Sequence, residues 1–306
     1  MKRFLLNGVI FGFAFIIFFV MVNLIFLLLV SHTDWDYRKR TESLRFINPE
    51  FDLLVLGNSL ALDGIDTELL TDNGIKSYNL AIGGSSPKTS YIQLKEYLEM
   101  YDHNPEYVIL ALGSYVSRLD GSEIHPVVEF TMRDYRFRLK DIPIRKFKWL
   151  GLELAKKIIS SQHRKASLSY GQLKFEKSTP DNTRPSSNEL NISAFLSSEY
   201  IGEIARLCSE NDISFYIIEM PGFNNTRNSS DIGPYRLSFS NGHQAWMYNL
   251  NSASFCEFFN SEKDWIANSH LNVYGASRFT RELLKILLTP DVSEAARYFL
   301  GVLIFD

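Results

Sequence analysis

The chain opens on an apolar block and then changes rhythm. From Phe4 to Val30 nearly every position is apolar, interrupted only by Asn7, Gly8, Gly12 and Asn23. About 20 apolar residues cross a bilayer as a helix, so this block predicts a spanning segment with some tilt. A secretory leader has a shorter apolar core, about 7–15 residues, followed by a small-x-small cleavage site. Leu29-Val-Ser-His-Thr33 supplies no such site, and residues 1–31 read as an uncleaved signal anchor that meets lipid through 4–30. Residues 32–50 are charged and aromatic, a juxtamembrane connector.

Beyond it, short apolar runs alternate with helical spacing. Asp52–Leu56, Lys76–Ile82 and Tyr107–Leu112 read as strands, each followed by glycine at 57, 83 or 113. Asp66–Asn73 and Thr89–Tyr101 read as helices, the second with Tyr91, Leu94, Tyr97 and Leu98 on one face. The rhythm breaks over 114–190 and returns with a helix at Ser198–Glu210 and a strand at Ser214–Glu219. A shorter strand is expected near Ser254–Phe258 and a closing helix at Tyr274–Leu288. Strands alternating with helices imply an α/β fold with a parallel sheet and crossover connections. The expected organisation is one domain over 51–288 with an insertion at about 114–190, then a tail at 289–306.

The insertion carries Arg133, Arg136, Arg138, Lys140, Arg145, Lys146 and Lys148, and a helix is expected near Trp149–Ser160. Such a run reads either as a solvated face or as a contact for anionic lipid headgroups or an anionic glycan. The net charge of −3 gives no reason to expect a nucleic-acid partner. Cys208 and Cys256 are too few for a disulfide scaffold and read as free thiols or one bridge. The six histidines lack ligand spacing, so no metal is expected. No phosphate-binding glycine motif follows the first strand, which argues against a nucleotide-binding domain, and no cofactor is implied. Lys2 and Arg3 favour a cytoplasmic N-terminus; Arg38, Lys39, Arg40 and Arg45 pull the other way. Long domains translocate largely regardless of charge, and an extracytoplasmic domain on a single-pass anchor is the expectation.

Ligands of parallel sheets bind beyond the carboxyl ends of the strands. Ser59, Gly83-Gly84 and Gly113 all lie just there, so three loops are expected to converge on one rim. Asn268-Ser-His-Leu-Asn-Val-Tyr-Gly-Ala276 adds His270 before the last helix. A serine hydroxyl becomes a good nucleophile when a histidine takes its proton. Gly83 and Gly84 would let a backbone N–H approach a developing oxyanion.

The blocks Leu56-Gly-Asn-Ser-Leu-Ala-Leu-Asp-Gly-Ile-Asp66, Tyr78-Asn-Leu-Ala-Ile-Gly-Gly-Ser-Ser86, Val108-Ile-Leu-Ala-Leu-Gly113 and Ser269-His-Leu-Asn-Val-Tyr-Gly-Ala276 resemble the SGNH (GDSL-like) hydrolase superfamily. The branch they are most similar to holds membrane-anchored proteins of D-alanyl-lipoteichoic acid transfer and alginate O-acetylation. The resemblance covers 51–113 and about 198–288. It implies a flavodoxin-like three-layer α/β/α sandwich with a mostly parallel sheet. It also implies Ser59 as nucleophile, His270 as general base, and an oxyanion hole from backbone N–H groups of Ser59 and of Gly83 or Gly84. The implied activity is an esterase or O-acyltransferase on a cell-envelope glycan or related acyl ester, with a membrane acyltransferase as partner. The alternative is a weak or inactive accessory or glycan-binding subunit. Three positions depart from the pattern. Asn58 replaces an aspartate, Ser114-Tyr115 replaces an asparagine donor, and Ala267 stands where the triad acid lies three residues before the histidine. Asp264, six before, reaches the imidazole by a longer turn, or a Ser–His dyad operates, or activity is lost.

Overall fold

A computed structural model of the chain describes residues 1–46, 49–113, 119, 121–134, 136, 138, 141–151, 166–176, 190, 192–222, 232–259, 263–267 and 270–288. In chain order the first elements are α1 (Lys2–Thr33), α2 (Trp35–Ser43), β1 (Leu53–Gly57), α3 (Ser59–Gly64), α4 (Thr67–Asp72) and β2 (Ser77–Asn79). Next come α5 (Pro87–Met100), β3 (Tyr107–Leu112), α6 (Pro126–Thr131), α7 (Pro143–Lys146), β4 (Ala166–Ser169) and β5 (Gln172–Phe175). The rest are α8 (Ile192–Leu196), α9 (Glu199–Glu210), β6 (Ser214–Glu219), β7 (Tyr235–Ser238), β8 (Gln244–Asn249), α10 (Ala253–Cys256), β9 (Trp265–Ala267), β10 (His270–Leu271) and α11 (Val273–Leu288). They divide into two compact units: α1, α2, α6 and α7 belong to one, and the sheet with the other helices forms the second.

In the first unit, α1 is long and apolar enough to cross a membrane, as an anchor or a signal sequence would be. Its last turns are partly covered: Phe26, Leu27 and Val30 pack with Tyr37, Val127, Phe130, Phe147 and Leu150. Phe147 stands edge-on to Tyr37 and to Phe130, the geometry aromatic pairs prefer. Not all of the basic run is solvated. Lys146 is held against Glu129 and Asp141, with Asp141 almost fully buried.

The second unit is α/β. Six strands run in the order β2-β1-β3-β6-β8-β7, all neighbours parallel except the β7/β8 pair. The central strands are buried on both faces, which is why they read as unbroken apolar runs. Leu54, Leu56, Val108, Leu110, Leu112, Phe215 and Ile217 share one core with Leu94 and Tyr97 of α5 and Ile201, Ile204 and Cys208 of α9. Side chains alternate along a strand, so Leu53, Val55, Ile109 and Ala111 face the other way. All four are fully buried there. The chain leaves β1 toward β2 on one side and returns to β3 on the other, so the order reverses between β1 and β3.

The structure departs from the sequence expectations in several places. Residues 253–256 form the short helix α10 rather than a strand. The second strand is only Ser77–Asn79, although Leu80 and Ile82 still donate to Val55 and Gly57. The hairpins β4–β5 and β7–β8 are additions, with polar residues dispersed among their apolar ones. The expected helix at 149–160 is described only through Gly151, where residues 148–151 are helical. The tail 289–306 lies outside the described residues.

Candidate active site

The strand-to-helix turn after β1 is built residue by residue. Gly57 adopts a φ of 140°, and a Cβ there would run into the Ala111 carbonyl oxygen on β3. Only glycine has low cost in that backbone and that space. Asn58 then caps α3, its side chain accepting from Leu60 N at 3.0 Å while its carbonyl accepts from Leu62 N. Ser59, the first residue of α3, is half-buried, while Leu60 to Gly64 behind it are buried. The serine therefore sits beyond the carboxyl end of β1, at the point where the strand order reverses, which is where open α/β sheets hold ligands.

The loop after β2 is tied to that turn. Ser85 Oγ donates to the Gly57 carbonyl at 2.6 Å, and Ser85 N donates to Ile82 O, closing a tight turn over Gly83-Gly84. Gly84 has a φ of 70°, the left-handed value that the third turn position demands. Buried Asn79 braces the base of the loop, donating from Nδ2 to Ala61 O on α3 and accepting from Ala81 N. The Gly-Gly loop is thus tied by direct hydrogen bonds to Gly57 and Ala61, two residues before and two after Ser59.

The histidine block is equally explicit. Leu271 and Ala276 are buried, and Asn272 caps α11 by accepting from Tyr274 N and Gly275 N. Asn272 also donates from Nδ2 to Lys263 O and from its backbone N to Asp264 O. A Cβ at Gly275 would strike that Asp264 carbonyl, so this glycine permits α11 to close on the preceding turn. Asp66 fastens α11 to the start of α4: its Oδ2 accepts from Ser277 Oγ at 2.8 Å and its N donates to Thr280 Oγ1 at 2.8 Å.

These anchors set His270 Nδ1 at 2.7 Å from Asp63 Oδ2. Asp63 is four residues after Ser59 on α3, and positions i and i+4 share a helix face about 5–6 Å apart. The histidine therefore meets the acid on the same helical edge that carries the serine. The carboxylate is only 8% exposed and the imidazole 26%, so the acid is buried behind a base that remains accessible. Ser59 Oγ makes no hydrogen bond among the described residues. Nucleophile–base contacts commonly tighten only when substrate binds.

The acid at the imidazole is thus Asp63, where the sequence pointed to Asp264. Asp264 is buried, with Oδ2 at 3.5 Å from Arg278 Nε and its carbonyl serving the cap of α11. The reason is the β9–β10 pairing: His270 lies opposite Ala267, and the chain turns so that the imidazole meets α3. The signal in the sequence was the spacing Ser59-x-x-x-Asp63, which is one turn once the residues after Ser59 are helical. Ser114, Tyr115 and Asn268 lie outside the described residues.

The β4–β5 hairpin buttresses this edge. Gln172, fully buried, donates from Nε2 to the Asp63 carbonyl at 3.0 Å. Tyr170 O accepts from Thr67 Oγ1 and from Asn79 N. Lys174 reaches Glu68 Oε2 at 2.5 Å and Asp66 Oδ1 at 3.3 Å. Its hydrogen bond, with that of Ser169, holds the Glu68 carboxyl below the usual carboxylate range. No group of three or more histidine, cysteine, aspartate or glutamate residues suited to a metal occurs among the described residues. Burial pushes the Cys208 thiol well up, so this cysteine is inert rather than nucleophilic. No protein-family model matches the chain, and no curated protein matches its sequence.

Proposed function

We propose that this protein is a membrane-anchored SGNH-like serine acyl-transfer enzyme in which Ser59, His270 and Asp63 form the catalytic set. The observation that carries the reading is the 2.7 Å contact between His270 Nδ1 and a buried carboxylate one helical turn from Ser59. That contact keeps the proton on Nδ1 and leaves Nε2 free to accept one from the serine. The sheet order supports the fold assignment. Counting the parallel strands alone, the order is second, first, third, fourth, fifth, the flavodoxin-like arrangement. The helix pair α5 and α9 on one face, and α3 with α11 on the other, fits an α/β/α sandwich.

In this reading Ser59 Oγ attacks an acyl carbonyl as His270 Nε2 takes its proton. The developing oxyanion is met by the N–H groups of Ser59 and of the Gly83-Gly84 turn. His270 returns the proton to the departing alcohol, which leaves an acyl-serine ester. A sugar hydroxyl or water then attacks that ester while giving its proton to His270, and Ser59 is restored. Asp63 stabilises the imidazolium formed in both halves. The anchor favours an acceptor or donor held at the membrane, a cell-envelope glycan with a membrane acyltransferase as donor partner, and an extracytoplasmic domain.

Fluorophosphonate labelling of the full chain tests the reading. Wild type is expected to label, Ser59→Ala to lose all labelling, and His270→Ala to lose nearly all. Folded wild type that fails to label beside a competent serine hydrolase makes the protein an accessory or glycan-binding subunit instead.

A further inference from the structure

The polar residue that interrupts the apolar helix α1 has a specific partner. Asn23 is 7% exposed; its Nδ2 donates to Phe19 O, and its Oδ1 accepts from Ile144 N at the start of α7 at 3.2 Å. The stretch 143–151 is therefore docked on α1 at the level of Asn23. Phe147 and Leu150 turn inward against Val30 and Tyr37, and Gly151 lies against Phe26 at a spacing that would still admit a Cβ. The residues between them turn outward. Ile144 is 39% and Trp149 40% exposed, and Arg145 and Lys148 are exposed without an ion-pair partner among the described residues.

The depth of that docking is informative. A helix of about 20 residues, rising about 1.5 Å per residue, crosses a hydrocarbon core of about 30 Å. Counted from Phe4, just after Lys2 and Arg3, that length ends at Asn23. The apolar run continues to Val30, so the span tilts, and the collar formed by α7 and residues 147–151 meets α1 over its last turns, toward the end where hydrocarbon gives way to headgroups. Its outward composition suits that layer: tryptophan is enriched at membrane interfaces, and arginine and lysine reach phosphates there.

We infer that residues 143–151 form an interfacial collar that seats on an anionic lipid leaflet, with Ile144 and Trp149 at the hydrocarbon boundary and Arg145 and Lys148 on the phosphates. This rests on the reading of α1 as a membrane span. Asn23 is then the pin between the span and the collar, not a defect in the span.

The test uses the full chain in vesicles of phosphatidylcholine with phosphatidylglycerol, made with and without bromine near the headgroup end of the acyl chains. The emission of Trp149 is read as the difference between wild type and Trp149→Phe. That difference is expected to lose most of its intensity in brominated vesicles, and to lose less in phosphatidylcholine alone or in the Arg145→Glu/Lys148→Glu variant. Carbonate washing of the same vesicles separates the two readings. If the chain is stripped off, the span fails and the collar with it. If the chain stays and Trp149 is unquenched, the span stands and the collar is overturned in favour of a protein partner or open water. Quenching indifferent to both lipid charge and the double variant overturns the anionic seat.

Discussion

Replacing Asp63 by asparagine keeps the size of the side chain and removes its charge from His270. In the proposed mechanism His270 takes the serine proton and becomes an imidazolium beside the Asp63 carboxylate, whose Oδ2 lies 2.7 Å from Nδ1. At an effective dielectric of about 20 and charge centres about 4 Å apart, that pair is worth about 4 kcal/mol. At about 1.36 kcal/mol per tenfold, the charge alone accounts for nearly a thousandfold in rate. The tautomer adds to this. An asparagine amide can donate to Nδ1, which moves the imidazole proton to Nε2 and leaves no base facing the serine. Loss of both effects in a serine triad lowers turnover by about 10⁴. Asp63→Asn is therefore expected to slow fluorophosphonate labelling and hydrolysis of an activated aryl acetate by about 10³–10⁴-fold.

Asp264→Asn is the matched control, since it removes a second buried carboxylate, one that precedes β9 and faces Arg278. Its labelling rate is expected to stay within about tenfold of wild type, with any loss appearing in thermal unfolding instead. Both variants are compared only where unfolding shows them folded. The reasoning is refuted if folded Asp63→Asn labels within about threefold of wild type, or if Asp264→Asn falls as far as Asp63→Asn.

Other positions make separate claims. Gly57→Ala puts a methyl group against the Ala111 carbonyl at a φ of 140° and is expected to destabilise by about 2–5 kcal/mol in urea unfolding; a loss under about 1 kcal/mol contradicts the packing described. Asn272→Ala removes the cap of α11 and its tie to Lys263, so stability should fall by about 1–2 kcal/mol and labelling should fall more than unfolding explains; labelling equal to wild type means His270 is positioned without the cap. Desolvation pulls His125 down to about 4, the residue being half-buried. The unfolded chain therefore binds a proton that the native state refuses between about pH 6.5 and 4, and stability falls as pH falls through that window, by at most about 3 kcal/mol. His125→Gln should remove that part of the acid sensitivity, and an unchanged pH–stability curve for the variant rules His125 out as its source.

The elements legible in the sequence were those whose signal is local. The strands at 53–57, 107–112 and 214–219 are buried on both faces and so appear as unbroken apolar runs. Edge and hairpin strands carry no such run. Tyr-Arg-Leu-Ser at 235–238 and Gln-Leu-Lys-Phe at 172–175 mix polar with apolar residues, and only their partners make them strands. The insertion was legible as an interruption but not in its division: 126–151 takes its core from α1, whereas 166–175 clamps the edge of α3.

The site follows the same division between local and non-local information. Gly57 and Gly275 were visible as glycines, yet the carbonyls that exclude a Cβ at each come from Ala111 on β3 and from Asp264 just before β9. The acid is the sharpest case. The resembling motif places an acid three residues before the histidine, where this chain has Ala267, which left Asp264, a dyad or lost activity as the expectations. Asp63 lies in the same Leu56–Asp66 block as Ser59, and a helix period counted from Ser59 selects it without any knowledge of His270. What the sequence lacked was the third dimension of α11. Asp66, Ser277 and Thr280 lock that helix to the start of α4, and the lock swings the imidazole onto α3 rather than toward its own loop. In the proposed triad the acid and the nucleophile share α3, so two of its members depend on a single segment. Its geometry is therefore exposed to any change in α3, and the buried Gln172 on the Asp63 carbonyl stands where such a change would first be felt.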